Sequence, residues 1–538
     1  MRVADFFCGG GGFSEGFRQA GFEIVFAVDK WAPAVNTYKG NKPGVNVIQG
    51  DVISISNLPE EEFEKLVPDS EVIIGSPPCQ SFSHSNKSGN ADKSLGIQLI
   101  EAYLRIIARK KFKPGSVLKY WVLENVPAVK NYIKEEYTAA DLGLDGDFVL
   151  RTHDGASGKY NAKYFGAPTN RERYLCGDFP RPVETKNDDN VIPLKAVLDS
   201  LGDPLRKDND LITDINYPDL KIDAQKVTDQ HYIYELADFE CQTAKRLKQD
   251  KGYMGKMSFP ENLDKPARTV MATMTASARE AMVLGYGKNR YRLPTVREAA
   301  CMMSFPIDYW FYGESKGIKH TLVGNAVPPK LSYAIAVAIA NAEGQAIPSG
   351  YLPIHHNEND SDLPFLNLNG VKYEIRKEQP KRIGSKFKYH IPYLIYSAYR
   401  VELTNYHSKF DTNEFKWDVE IHYSQGKDKA KVLTPSVNKR SLPDELYERI
   451  KSYLEAITPM VPTTYSYFQK LYCMTSEERK AKNKYGPYEL LDSIRKFIDE
   501  AIPQEDHDKI VEIGENVYLP YAILAGYYTM SKIINRMH

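Results

Sequence analysis

The stretch RVADFFCGGGGFSEGFRQAGFEIVFAVD, Arg2 to Asp29, decides the fold. An apolar run of strand length leads into four glycines, and the segment after them places Phe13, Phe17 and Ala20 on one helical face. Gly21 suits the C-terminal cap of that helix, and a second apolar run follows. Strand, glycine turn, helix and strand make a complete βαβ unit, which predicts an α/β domain.

Further short apolar runs predict the rest of the sheet and the division of the chain. The predicted strands are Arg2–Phe7, Glu23–Val28, Val47–Ile48, Val72–Ile74 and Tyr120–Glu124. From Phe179 to about Pro266 the pattern is irregular, which predicts an inserted region because structureless stretches of that length are rare inside compact domains. Helical periodicity returns after Thr295, and a polar stretch rich in Gly and Pro predicts a linker near residue 350.

Composition limits the class of protein. With 538 residues, 42% of them hydrophobic and 26% charged, the chain is expected to be a globular protein with at least two cores. Because 70 Lys and Arg balance 70 Asp and Glu, a nucleic acid would have to be held by local patches. The N-terminus does not resemble a signal peptide and no apolar run approaches the ~20 residues that span a bilayer, so we expect a cytoplasmic protein without a membrane partner.

The cysteines argue for free thiols. Six of them are scattered along the chain and none forms a C-x-x-C pair, which disfavours disulfides and a structural zinc. We therefore expect no metal site, and we expect Cys79 in the segment IIGSPPCQSFSHS to be a free thiol.

The glycine turn predicts a nucleotide-like cofactor. It leads directly from a strand into a helix, where the backbone can approach a ligand and the helix N-terminus offers free N–H groups. Asp29 and Asp51 end successive strands, which fits an adenosine pocket. A turn of purely structural use is the alternative, and an NAD-linked dehydrogenase is the rival enzyme. A dehydrogenase does not explain the strand ends that carry Cys79 and Glu124.

Eight blocks in order resemble the DNA (cytosine-5)-methyltransferase family. They are DFFCGGGGFSEGF, AVDKW, GDV, GSPPCQSFS, LENV, FGAPTNRERYL, LPTVREAACMMSFP and VGNAVPPKLSYAIA, between Arg2 and about Glu343. The resemblance implies a Rossmann-like domain that uses S-adenosyl-L-methionine and carries an inserted target-recognition region, to which this chain adds a C-terminal α+β domain. The expected parts are residues 1–180 (cofactor-binding part), 181–293 (target recognition), 294–348 (end of the catalytic domain), 349–363 (linker) and 364–538 (accessory domain of unknown role).

The resemblance also implies a reaction, the transfer of a methyl group to carbon 5 of a flipped cytosine in a short DNA sequence. Carbon 5 is a poor nucleophile, and attack of the Cys79 thiolate on carbon 6 would make it nucleophilic. Glu124 would offset the charge that develops near ring N3, and Asn125 would support the turn. Arg173 is assigned to the cytosine O2 and the surroundings of the thiolate, and Arg171 to support or to phosphate. Without the block order, two such arginines are more typical of surface ion pairs.

Carrying the family's binding residues over gives two sets. Cofactor binding is expected at Phe7, Gly9, Gly11, Gly12, Asp29, Lys30, Trp31, Asp51, Val52, Pro78, Asn325 and Val327. DNA contacts are expected at Gln80, Ser81, Ser83, Ser85, Arg268, Thr269 and Thr273. The chain departs from the family pattern at Ser81, where a glycine is usual, at Thr169, where a glutamine is usual, and near Gly96, where an arginine is usual.

Partners and alternatives complete the expectation. We expect a monomer on double-stranded DNA, associated with the bacterial nucleoid, and a cognate restriction endonuclease in a restriction-modification or defence system. A tRNA cytosine-5 methyltransferase and a non-catalytic DNA-binding relative remain as alternatives. For the C-terminal domain an accessory or DNA-holding role is favoured over a fused nuclease built on Asp418, Glu420 and Lys427.

Overall fold

The computed structural model describes residues 1–78, 93–153, 155–205, 210–250, 256–356, 372–423, 431–514 and 517–538. These residues form two compact units, one of Met1–Leu236 with Pro260–Ile375 and the other of Ala237–Phe259 with Arg376–His538. The second unit thus includes a segment from the range expected for target recognition. The reason is a polar contact, since Tyr393 N and Tyr389 Oη donate to the Asp250 carboxylate at 2.6 and 2.5 Å.

A seven-stranded mixed sheet forms the centre of the first unit. The strands up to this sheet's end are β1 (Arg2–Phe6), β2 (Glu23–Asp29), β3 (Asn46–Gln49), β4 (Val72–Gly75), β5 (Tyr120–Asn125), β6 (Glu136–Thr138), β7 (Val149–Arg151), β8 (Gly158–Asn161), β9 (Thr169–Asn170) and β10 (Glu172–Asp178). The helices among them are α1 (Gly12–Gln19), α2 (Ala32–Asn41), α3 (Val52–Ser56), α4 (Glu60–Leu66) and α5 (Ser94–Phe112). The order in the sheet is β3-β2-β1-β4-β5-β10-β8, parallel through β5 and antiparallel beyond it.

This sheet explains why the sequence shows continuous apolar runs. Parallel strands covered on both faces are apolar throughout, and hydrophobic cores lie on both faces of this one. All five predicted strands are present. Four of them differ from the prediction by one residue at the C-terminal end, and β3 is one residue longer at each end. Because the chain leaves β1 for β2 on one side and reaches β4 on the other, a crevice opens at the carboxyl ends of these strands. The mixed α/β sheet fits a Rossmann-like fold.

The rest of the first unit returns to the beginning of the chain. Its elements, with one helix of the second unit among them, are α6 (Leu194–Leu201), β11 (Leu211–Thr213), β12 (Lys221–Asp223), β13 (Tyr232–Glu235), α7 (Asp238–Gln249, second unit), β14 (Ala267–Arg268), β15 (Leu284–Gly285), β16 (Tyr291–Arg292), α8 (Val296–Met302), α9 (Lys316–Asn325), α10 (Pro329–Ala342) and β17 (Lys372–Ile375). Helix α10 packs closely on α1 at Gly16, where a Cβ atom would clash with Ser332 Oγ. Sheet β15-β16-β13-β17 and the pair β9-β14 complete this part.

The first part of the expected linker is packed against the first unit. Tyr351 Oη donates to the Asp308 carboxylate at 2.7 Å, and Arg18 donates to the Leu352 carbonyl at 2.8 Å. The rings of Trp310 and His356 stack with centroids 3.8 Å apart. Residues 351–356 are therefore part of the folded unit, while residues 357–363 of the expected linker lie outside the described residues.

One stretch of the described residues, Lys316–Ala342, is long and apolar enough to cross a membrane by length and composition. It covers α9 and α10, and 67% of its apolar window is buried inside the protein. Leu331, Ile335 and Ile339 are fully buried in the core, as expected for core helices of a folded domain.

The second unit combines a small sheet with helices. Its remaining strands are β18 (Lys388–Tyr396), β19 (Tyr399–Thr404), β20 (Asp418–Tyr423), β21 (Lys431–Leu433), β22 (Ile510–Gly514) and β23 (Val517–Pro520). Its remaining helices are α11 (Asp444–Ile457), α12 (Tyr465–Cys473), α13 (Ser476–Ala481), α14 (Pro487–Ala501) and α15 (Tyr521–Ile534). The antiparallel meander β18-β19-β20-β21 and the helices enclose a separate core that includes Trp417, Ile494 and Leu524.

Candidate active site

A buried carboxylate stands at the carboxyl edge of the central sheet. Glu124 on β5 is 4% exposed, and it accepts a hydrogen bond from Ser76 Oγ at 2.5 Å. Arg173 Nε on β10 lies 2.9 Å from the other carboxylate oxygen. Because β4, β5 and β10 are neighbours in the sheet, their ends bring Ser76, Glu124 and Arg173 together. Ser76, which the sequence analysis did not single out, was identifiable from its place at the end of β4.

The segment that leads to Cys79 is held by the next residue of β5. The Asn125 side chain donates to the Pro77 carbonyl at 3.0 Å and accepts from Val126 N at 2.8 Å. Pro78 is exposed at the end of this described segment. The predicted residues Cys79, Gln80, Ser81, Ser83 and Ser85 lie outside the described residues.

The glycine turn joins β1 to α1 and faces the end of β2. Its backbone has positive φ at Phe7 (54°), Gly9 (50°) and Gly11 (84°), a conformation that favours glycine at the last two positions. The Asp29 carboxylate accepts from Gly9 N at 2.9 Å and from Trp31 N at 2.8 Å. Burial raises the pKa of Asp29, while the backbone N–H groups oppose that rise. Phe7, Gly9, Asp29 and Trp31 are all half-buried, so each keeps part of its surface accessible near these strand ends.

The end of β3 contributes Asp51 beside the same opening. Asp51 caps α3 by accepting from Ile53 N at 2.9 Å, and Lys30 Nζ donates to its other oxygen at 2.8 Å. The hydrogen bond from Lys30 is the main cause that lowers the pKa of Asp51. Val52 is only 2% exposed and packs in the core. Of the predicted residues here, Asp51 and Lys30 are therefore accessible, and the Val52 side chain is not.

The block VGNAVPP closes on the glycine turn from the far end of the catalytic part. Asn325 ends α9 and is exposed, whereas Val327 is 3% exposed and lies in the core. A Cβ at Gly12 would lie 2.4 Å from the Val327 carbonyl oxygen. Gly12 is thus closed off by this block, while a Cβ at Gly9 would find nothing within 4 Å.

Arg171 is a structural link between two segments. It is 3% exposed, and its guanidinium donates to the carbonyls of Val270 (3.1 Å), Gly324 (3.0 Å) and Ala326 (3.1 Å). These contacts favour the supporting role over the phosphate contact that the resemblance left open. They also join the segment around Val270 to the block VGNAVPP.

The segment from Glu261 to Thr273 contains three residues expected to contact DNA, and two of them, Arg268 and Thr269, make contacts inside the protein. Arg268 Nε lies 2.8 Å from the Glu261 carboxylate, and the Thr269 hydroxyl donates to the Asn170 carbonyl at 2.9 Å. Thr169, the departure from the family pattern, donates to the Arg268 carbonyl at 3.2 Å. Among the predicted three, Thr273 is the exposed residue.

Two residues of the nuclease hypothesis, Asp418 and Glu420, are engaged in ion pairs. Asp418 lies 2.9 Å from His407 and 3.2 Å from Lys416. Glu420 and Glu402 meet at His422, with ligand atoms within 4.8 Å of one another, and the carboxylate of Glu402 also pairs with Lys388 and Arg400. Lys427 lies outside the described residues. The ligand atoms of Glu402, Glu420 and His422 have the spacing of metal ligands. The neighbouring cations Lys388 and Arg400 already balance the charge of this cluster.

Comparisons with known proteins agree with the block order. A family model described as C-5 cytosine-specific DNA methylase matches residues 1–341. The type II methyltransferase M.NgoPII of Neisseria gonorrhoeae is 28% identical over 350 residues, which cover 63% of this chain and 95% of the relative. The type II methyltransferase M1.HphI of Haemophilus parahaemolyticus is 29% identical over 366 residues, with 63% and 86% covered. Among solved structures, the S. pombe Dnmt2 methyltransferase aligns over 64% of this chain and 99% of its own at 17% identity and a TM-score of 0.40.

The family model spans most of the chain, from the first strand to the end of α10, and its curated relatives are matched over nearly their whole length. The resemblance predicted from the eight blocks is confirmed. The chain belongs to the C-5 cytosine-specific DNA methylase family.

Proposed function

We propose that this protein transfers a methyl group from S-adenosyl-L-methionine to carbon 5 of a cytosine flipped out of double-stranded DNA, through a covalent bond between Cys79 and carbon 6. The observation that carries the proposal is the Ser76–Glu124–Arg173 cluster at the strand end next to the Pro77–Pro78 segment that leads to Cys79. An NAD-linked dehydrogenase has no use for a carboxylate at this place.

The cofactor pocket is assigned to the ends of β1, β2 and β3. The donor set fits S-adenosyl-L-methionine, because Asp29 and Asp51 supply carboxylate acceptors for hydroxyl and amino groups and the half-buried Trp31 and Phe7 supply aromatic surface. The bound cofactor supplies an electrophilic methyl group. The open surface at Gly9 lets the backbone approach it closely.

The residues of the sheet edge prepare the base. Cys79 attacks carbon 6, which moves electron density into the ring and makes carbon 5 nucleophilic. Glu124, held from two sides by Ser76 and Arg173, is positioned to share a proton with ring N3, which offsets the negative charge that the attack places on the ring. After methyl transfer, loss of the proton on carbon 5 lets the Cys79 thiolate leave carbon 6. The Arg173 cation beside this carboxylate also favours the thiolate form of a nearby cysteine. Asn125 fixes the chain direction into Cys79 through the Pro77 carbonyl.

Target recognition is assigned to the inserted region, with Thr273 and the segment from Arg268 to Thr273 at the DNA. A base inside a duplex cannot reach a buried carboxylate, so the cytosine leaves the stack. The loop that begins at Gln80 would meet the flipped nucleotide. We further propose that the protein acts as a monomer in the bacterial cytoplasm and that its methylation protects the host's DNA from a cognate endonuclease, since its curated relatives are type II methyltransferases.

The test is methyl transfer in vitro from radiolabelled S-adenosyl-L-methionine. Duplex DNA of mixed sequence is expected to accept label, and tRNA transcripts, the alternative substrate, are expected to remain unlabelled. DNA that contains 5-fluorocytosine at the target is expected to form a denaturation-resistant adduct with the protein, because carbon 5 then carries no proton to release. If tRNA is labelled and DNA is not, the substrate is tRNA and the proposal of a DNA substrate is wrong. If neither nucleic acid is labelled, the proposed methyl transfer is refuted.

A further inference from the structure

The glycine turn rests on a buried pair of polar side chains that come from distant parts of the chain. Lys42 directly follows α2 and is 4% exposed, and its Nζ donates to Tyr309 Oη at 2.9 Å and to the Gly11 carbonyl at 3.3 Å. Tyr309 is fully buried, and its hydroxyl donates to the Gly10 carbonyl at 2.5 Å. Two successive carbonyl groups of the turn are therefore held from the inner side.

These contacts are too close to be incidental packing. A Cβ at Gly11 would lie 2.6 Å from Tyr309 Oη and 2.9 Å from Lys42 Nζ, so the turn fits directly on the two groups. In a trans peptide the C=O and N–H groups point in opposite directions. Because the Gly11 carbonyl is directed at Lys42, the N–H of Gly12 in the same peptide unit points away from Lys42.

The charge of Lys42 is balanced inside the protein. Its Nζ lies 3.3 Å from the carboxylate of the fully buried Glu15. The same atom lies 4.9 Å from the ring centroid of Tyr38 and 4.8 Å from that of Tyr309. Burial acts to raise the pKa of Glu15, but Arg18 and Lys42 outweigh it and bring that pKa down to about 2. The Glu15 carboxylate therefore remains a fixed counter-ion for Lys42.

Tyr309 is itself anchored to the target-recognition region. The fully buried Arg297 donates to the Tyr309 carbonyl at 2.5 Å, to the Pro306 carbonyl at 3.0 Å and to the Thr228 carbonyl at 3.0 Å. The residue whose hydroxyl supports the glycine turn is thus itself held through its main-chain carbonyl.

We propose that Lys42 and Tyr309 are positioning residues of the cofactor site, which hold the Gly10 and Gly11 carbonyls inward so that the turn presents the Gly12 amide and the open surface of Gly9 to S-adenosyl-L-methionine. This inference rests on the cofactor assignment of the proposed function. Neither residue contacts the cofactor; both act through the backbone of the turn. Nothing in the family resemblance assigns these two side chains.

The test compares Tyr309→Phe and Lys42→Met with Lys39→Met, which removes an exposed lysine from α2, the helix that Lys42 follows. Isothermal titration of the full-length protein with S-adenosyl-L-methionine is expected to give a Kd roughly tenfold weaker for Tyr309→Phe and for Lys42→Met, or about 1.4 kcal/mol. Lys39→Met is expected to bind as the wild type. In steady state the KM for the cofactor is expected to rise while kcat stays close to the wild-type value.

Tyr309→Phe removes a single oxygen and keeps the ring, so it decides the question even if Lys42→Met does not fold. Wild-type affinity in folded Tyr309→Phe overturns the inference, as does a loss of thermal stability with an unchanged Kd. The double variant is expected to lose less than the sum of the two single losses, because both groups support one turn. If the wild-type protein does not bind S-adenosyl-L-methionine at all, the proposed function fails instead.

Discussion

The sheet edge around Glu124, our proposed catalytic edge, and the segment from Glu261 to Thr273, our proposed recognition segment, differ in how well residue type predicts which side chains meet. At the edge, the predicted side chains Glu124 and Arg173 meet each other, and Ser76, which was not predicted, also contacts the Glu124 carboxylate. In the recognition segment, Arg268 is held by Glu261. Strand ends converge because a sheet forces them to, whereas the surroundings of a loop depend on remote parts of the chain.

The largest effect is expected at the catalytic edge. Glu124→Gln keeps the shape of the side chain but removes its charge and its proton-transfer ability, so methyl transfer to duplex DNA is expected to fall by about 10²–10⁴-fold. The measurement is single-turnover transfer of labelled methyl groups with saturating DNA and cofactor. Circular dichroism and thermal unfolding serve as controls for folding. A rate within a factor of about three of wild type would remove Glu124 from the chemistry.

The link between the two regions is tested at Arg171. Arg171→Met keeps much of the volume but leaves three buried carbonyls, those of Val270, Gly324 and Ala326, without their donor. The free energy of unfolding is expected to fall by about 3 kcal/mol. Urea denaturation measures this change.

The matched control for Arg171→Met is Arg181→Met, since Arg181 is exposed and donates to one carbonyl, that of Gly155. This control is expected to change the free energy of unfolding by less than about 0.5 kcal/mol. Equal midpoints for Arg171→Met and the control would show that Arg171 does not hold the two segments together.

The buried Asp5 near the glycine turn is tested by the pH dependence of the free energy of unfolding. Burial raises the pKa of Asp5, beneath the glycine turn, to about 7, although Ser14, Lys42 and Tyr38 oppose the rise. Because the folded-state pKa lies above the unfolded value of 3.8, the stabilisation by the protonated form is complete below about pH 4 and is lost as pH rises towards 7 and above. Relative to Asp5→Asn, the wild type is therefore expected to lose on the order of 2 kcal/mol of unfolding free energy between about pH 5.5 and pH 8.

Urea denaturation of both proteins at several pH values measures the difference, which cancels the titration of all other groups to first order. A constant difference across this range would mean that Asp5 has an ordinary pKa in the folded protein.

The smallest effect separates two roles of Arg268. If the ion pair with Glu261 only shapes the segment, Arg268→Ala and Glu261→Gln are expected to change target affinity alike. Our proposal that the segment contacts DNA predicts that Arg268→Ala weakens binding of the target duplex by about 1 kcal/mol more than Glu261→Gln does. Fluorescence anisotropy at fixed salt is the measurement, and equal affinities of the two variants would exclude an Arg268 contact.

Sequence patterns predict the parts of the molecule that a single element determines. The five parallel strands follow from apolar runs, and the approach of Glu124 to Arg173 follows from strand ends in one sheet. The support of the glycine turn by Lys42 and Tyr309 was not predictable in this way. The two residues are 267 positions apart, and neither belongs to a sequence pattern with Gly11. An acid such as Asp5 inside an apolar strand was the available signal of a buried polar cluster.

Long-range packing also explains the differences in domain organisation. The segment Ala237–Phe259 belongs to the second unit because Asp250 meets Tyr389 and Tyr393, more than a hundred residues away. Residues 351–356 have the composition of a linker, but their main chain supplies acceptors to Arg18 and their rings stack on the first unit. Composition reports which residues are polar, and it does not report which partners they find.

The most direct test is bisulfite sequencing of DNA from a host that expresses the protein, beside a host that expresses Cys79→Ser. New 5-methylcytosine is expected in one short sequence context with the wild-type protein, and none is expected with the variant. Equal methylation in both hosts would contradict the covalent role of Cys79, and no methylation with the wild-type protein would contradict cytosine-5 methyl transfer itself.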